Sequence, residues 1–170
     1  MNPIEYAKTL AAYNRWMNDR IYAACARLSD EQRKRDVGAF FKSIHGTLNH
    51  ILLGDRLWFG RFTGVPFVVQ SLNQELYADF AELRAQRSKT DEDIIAWVNS
   101  LSGSEFAGQM SYMSTVNPQL RTYPFWVAIT QLFNHQTHHR GQVTTLLMQQ
   151  GIDPGVTDLI WLPELQPKAS

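Results

Sequence analysis

The sequence predicts an all-α fold, a four-helix bundle with long connections and a small β-hairpin or extended arm before the last helix. Three observations carry that expectation. Apolar residues recur at steps of three and four in four long stretches. Segments rich in glycine, proline and polar residues separate those stretches. One segment, residues 103 to 123, instead alternates polar and apolar residues around a turn proline.

The first helix covers residues 3 to 28, where Ile4, Ala7, Leu10, Ala11, Met17, Ile21, Cys25 and Leu28 form one stripe. Asn2 and Pro3 supply an N-cap and a first-turn proline. Asn14 lies inside the stripe, so it faces the core and needs hydrogen-bond partners, and bracing a neighbouring helix is its expected role. Cys25 reads as a small apolar filler. Residues 29 to 38, SDEQRKRDVG, form a connection in which Ser29 and Asp30 can begin a short helical turn.

The second helix is expected over residues 39 to 63, and residues 64 to 73 then cross over as a loop. A third long helix is expected from about Gln74 to Ser102, carried by Leu76, Phe80, Leu83, Ile94, Ile95, Val98 and Leu101. The polar run SKTDED interrupts that pattern, and a solvated break would fall between Ser88 and Asp91. Pro124 can occupy the first turn of the fourth helix, which runs to about Gln150 and stops at Gly151. The tail, about 151 to 170, has too many prolines for a helix, and Leu159 to Leu162 are expected to pack on the body or on a second subunit.

With 170 residues, 44% of them hydrophobic and 19% charged, the chain suits one globular domain over residues 1 to 170. Basic and acidic residues balance at 16 each, which gives no positive field for a phosphate backbone and argues against nucleic-acid binding. A single cysteine excludes an intramolecular disulfide. No apolar stretch approaches the ~20 residues of a membrane span, and the N-terminus lacks a signal-peptide core. The reading is a cytoplasmic protein with no membrane partner.

Function is concentrated in ITQLFNHQTHHRGQVTTLLMQQ, residues 129 to 150. At about 100° per residue, His139 falls inside the apolar face and His135 near its edge, whereas His138 points away. Imidazoles at i and i+4 can share one cation, and zinc, nickel and iron all accept neutral nitrogen ligands. An isolated HxxxH more often marks hydrogen-bonded core histidines, so the pair needs a third ligand. His50 supplies it, because small residues, Thr47 and Gly54, flank it by one turn on either side. His45 lies far around the same helix and reads as a packing or capping residue.

YNRWMN at 13 to 18, TLNHILLGDRLWFGRF at 47 to 62 and FNHQTHHRGQVTTLL at 133 to 147 together resemble the DinB family, within the DinB/YfiT-like superfamily. The resemblance covers nearly the whole chain, including the tail GIDPGVTDL. It implies a four-helix bundle whose metal is held by one histidine of the second helix and two of the fourth, positions that match His50, His135 and His139. It also implies a divalent ion, nickel or zinc foremost and iron or manganese as further choices, and a homodimer. Some relatives are transferases or isomerases that use low-molecular-weight thiols. The family name refers to induction by DNA damage, a matter of expression and not of DNA binding.

The expected function is therefore a divalent-metal-dependent transferase or hydrolase, its metal activating a thiol or water against a small-molecule substrate. The alternatives are a non-catalytic metal-binding stress protein and a dimeric binding module. Asp55 is expected to be structural, paired with Arg56 or Arg61, and Arg140 to pair at the surface or a subunit interface. Gln142 is placed to reach a substrate or orient an imidazole, and Gly141 to permit close helix contact. Catalytic residues beyond the metal ligands are not assigned.

Overall fold

The computed structural model describes residues 2–115 and 117–167. Its long helices are α1 (Pro3–Cys25), α3 (Ile44–Thr63), α4 (Phe80–Ser100) and α5 (Phe125–Gln149), with a five-residue α2 (Asp30–Lys34) after the first. Strands β1 (Gln109–Met113) and β2 (Leu120–Pro124) form an antiparallel hairpin before α5, with Gln109 opposite Pro124 and Met113 opposite Leu120.

The caps are those the sequence announces. The Asn2 side chain accepts from the Ile4 amide at 3.0 Å, and α2 opens with a capping box between Ser29 and Gln32. Gly151 follows α5 with φ 73°, a left-handed conformation that suits glycine. Two helices begin later than expected. Ser43 caps α3, so residues 39 to 42 form a tight turn in front of it, and Asp79 caps α4, which leaves Gln74 to Ala78 in the crossover. The polar run SKTDED does not break α4.

α1 packs on α4 and α5, and α3 packs on the same two, so α1 and α3 occupy opposite corners. Two apolar clusters fill the bundle. One gathers Met17, Ile21, Leu48, Leu52, Leu83, Val143 and Leu147; the other gathers Ala7, Ala11, Ile94, Val98, Phe125, Ile129 and Leu132. The order in which each helix meets these clusters gives its direction: α1 and α5 run one way, α3 and α4 the other. Two parallel neighbours, α3 and α4, need a return path, and residues 64 to 79 provide it by climbing back along α3.

Between the clusters lies a buried polar belt with members on every long helix. Arg87 donates to Asp55 at 2.6 Å and to both oxygens of Asp91, at 2.8 and 3.1 Å. Asn14 and Asn18 donate to Asp91 at 3.2 and 3.0 Å, so Asn14 braces α4 as its place in the stripe suggests. Arg140 donates to Asn14 and to Gln136. Two expectations are corrected here. Arg140 is 3% exposed, buried in the belt and not at a surface, and Asp55 pairs with Arg87, not with Arg56 or Arg61.

The tail lies against α1: Tyr13 donates to the Thr157 carbonyl, Arg20 to that of Pro154, and Leu162 is buried. Among the described residues no helix is long and apolar enough to cross a membrane.

Candidate metal centre

His50 of α3 and His135 and His139 of α5 come together where these adjacent helices face each other. The Nε2 atoms of His50 and His139 lie 3.2 and 3.1 Å from Nε2 of His135. Two nitrogens bound ~2.0–2.1 Å from one ion are about 2.9–3.4 Å apart at octahedral or tetrahedral angles. Both separations fit a shared cation, and the three ligating nitrogens all lie within 4.8 Å of one another.

The neighbours fix which nitrogens are free. His50 donates from Nδ1 to the Leu72 carbonyl at 3.0 Å, and His139 donates from Nδ1 to Gln142 Oε1 at 2.7 Å. Each ring therefore turns a bare Nε2 lone pair toward His135. A neutral His135 can donate from Nε2 to only one of them, and its other tautomer would place an N–H on Nδ1, which is buried without a partner. Three converging imidazoles with at most one proton among their inner nitrogens can accept a cation, and the outer hydrogen bonds orient them for it.

Burial holds all three imidazoles below their ordinary pKa, with the neighbouring histidines adding to the effect at His135, which is pushed down to about 3. Neutral rings at pH 7 are the form that ligates.

Local sequence builds this site. Asn49, beside His50, accepts from the Leu76 and Tyr77 amides at 2.8 and 2.9 Å and donates to the Tyr77 carbonyl at 3.1 Å. That clamp fastens the crossover to α3 and brings the Leu72 carbonyl to His50. Phe41 stacks on His50 with ring centroids 3.8 Å apart and meets His139 edge-on. Gly46 makes this possible, since a Cβ there would collide with the Phe41 carbonyl. Gly54, expected to leave room beside His50, is instead covered by the His135 ring.

The other two histidines do not join the cluster, although the His138 ring meets that of His139 edge-on. His45 donates to the Tyr77 carbonyl at 2.9 Å, in keeping with a packing role, and His138 is exposed on the outer side of α5. Gly141 has no neighbour within 4 Å of a Cβ position, so it does not serve close helix contact. A cleft of ≈ 550 Å³ opens on the His50 side, walled by Phe41, Lys42, His45, Asn49, His50 and Glu75. Sequence reasoning missed Asn49 and Phe41. Asn49 carried a signal, a polar residue in an otherwise apolar helical run, whereas nothing local marks Phe41.

Comparison with known proteins bears on the family and the fold. A model of the DinB family matches residues 1–169. The protein named DinB from Bacillus subtilis (strain 168) is 24% identical over 160 residues, 91% of each chain. The crystal structure of a DinB-like protein from Bacillus cereus ATCC 10987 superimposes with a TM-score of 0.59 at 20% identity, covering 82% of this chain and 90% of that one. That likeness extends to the fold.

Proposed function

The chain belongs to the DinB family, and from that premise we propose that it is a metal-dependent enzyme in which His50, His135 and His139 hold one divalent ion. The observation that carries this reading is the pair of outer hydrogen bonds, to the Leu72 carbonyl and to Gln142, which turn the lone pairs of His50 and His139 onto His135. Three neutral imidazoles leave coordination positions open, as in catalytic sites. Nickel or zinc suits the donor set best, with iron or manganese as further choices. A divalent ion bound there supplies Lewis acidity, lowering the pKa of a bound thiol or water so that a nucleophile exists at neutral pH.

The protein residues hold and shield the site. Phe41 covers one face of His50 and limits water access, Asn49 fixes the crossover that supplies the Leu72 acceptor, and the cleft beside His50 gives a small molecule room to approach. The substrate class we propose is an electrophile attacked by a low-molecular-weight thiol or by water, in a homodimeric cytoplasmic protein.

A second reading, metal binding without turnover, draws on the donor set: the cluster is all histidine, and the carboxylate nearest His50 in the sequence, Asp55, is committed to Arg87. Cobalt(II) substitution separates the two. The enzyme reading expects a sulfur-to-cobalt absorption band on adding glutathione, together with consumption of an electrophilic acceptor that His139→Ala abolishes. Cobalt binding with neither thiol-induced band nor acceptor or ester turnover would leave the non-catalytic reading.

A further inference from the structure

Among the described residues, six arginines are not exposed: Arg20, Arg33, Arg56, Arg87 and Arg140 each donate to at least one protein acceptor, and Arg61 donates to none. The Arg61 guanidinium carbon sits 4.7 Å from the Trp58 ring centroid and 4.0 Å from that of Tyr112. The two rings meet nearly at right angles, 68° apart with centroids 5.3 Å apart, so the cation rests in the corner between them. Ring faces attract the guanidinium through its flat side and leave its in-plane N–H donors unspent.

Those donors border a cleft of ≈ 300 Å³ between the end of α3, the start of the crossover and the hairpin. Its walls are largely apolar, formed by Leu57, Phe67, Tyr112 and Met113 with Ser111 and Thr115 beside them, and no acidic residue lines it among the described residues. Half-burial lowers the Arg61 pKa from its ordinary value, so the charge is held there against a desolvation cost with no protein anion to offset it. Arg61 lies seven residues beyond Gly54 on the same side of α3, about 10 Å along the helix, so this cleft is separate from the three histidines.

We infer that this cleft is a binding site for a small organic carboxylate, whose apolar body lies against Leu57, Phe67 and Met113 while its carboxylate pairs with the free edge of Arg61. The planar fork of a guanidinium matches a carboxylate in a bidentate arrangement. A volume at the lower end of the range for ligand sites, roughly 300–1,000 Å³, suits a single ring with a short acidic arm. The inference does not rest on the metal reading.

Phenylacetate titrated into the full chain, followed by NMR, tests it, with phenylacetamide as the neutral molecule of the same shape. The expected result is saturable binding with shifts centred on Arg61, Phe67 and Tyr112, at least about tenfold weaker for the amide and for Arg61→Met. Binding should be unchanged in EDTA. Equal binding of acid and amide, undiminished binding to a folded Arg61→Met protein, loss of binding in EDTA, or no saturable binding would each overturn the assignment. The amide comparison holds even if the variant does not fold.

Discussion

Gly54 and His135 are in direct contact across the α3–α5 interface: a Cβ at position 54 would lie 2.6 Å from Cε1 and 3.0 Å from Nδ1 of the imidazole. A glycine inside a helix costs about 1 kcal/mol relative to alanine, and here the absent side chain is the space that the His135 ring occupies. Gly54→Ala should therefore push that ring off its meeting point with His50 and His139. Competition titration with a metallochromic chelator should give an affinity about tenfold or more below wild type, while circular dichroism stays helical. Unchanged affinity would mean that the ring has slack.

The polar belt makes a stability prediction. Among the described residues Arg87 is the only cation bonded to Asp55 and Asp91, and all three side chains are at most 2% exposed. Arg87→Met leaves two buried carboxylates without their partner and should lower the unfolding free energy by about 3–5 kcal/mol, read from urea titrations. Burial already raises both carboxyl pKa values in the native protein, and without Arg87 they rise further. A native state that binds protons more readily than the unfolded one gains stability as pH falls. The deficit of Arg87→Met against wild type should thus be smaller at pH 5.5 than at pH 7.5.

Cys25 is fully buried, and burial pushes its thiol up to about 12, with Arg33 opposing weakly. Below pH 9 folded and unfolded thiols are both protonated; above it the unfolded thiol ionises first, so this group withdraws stability as pH rises from 9 toward 12. At pH 8 a disulfide reagent should label Cys25 at least about a hundredfold faster in 6 M guanidinium than in the native protein. Rapid native labelling would contradict its place in the core.

Much of this was legible in the sequence because it depends on periodicity. His135 and His139 stand one turn apart on an apolar face, and His50 falls between small residues at the same spacing, so three ligand candidates emerge from helical geometry. The belt was not legible for the complementary reason. Arg140 keeps step with Gln136, Val143 and Leu147 on the buried face of α5, and Arg87 with Leu83 and Ile94 on that of α4, yet charged residues in a polar run read as a solvated face. Only the opposing helices reveal their partners, since Arg87 meets Asp55 across 32 residues and Arg140 meets Asn14 across 126. Register across long connections carries no local signal. The Leu72 carbonyl at His50 is a backbone group on a crossover, which no side-chain pattern encodes.

The central claim is that three histidines hold one ion, and the most direct measurement is metal content by mass spectrometry on untagged wild type and on His50→Ala, His135→Ala, His139→Ala and His138→Ala. The account predicts about one divalent ion per chain, lost from the first three variants and retained by His138→Ala. Absent metal in wild type, or content unchanged across the first three variants, would contradict it.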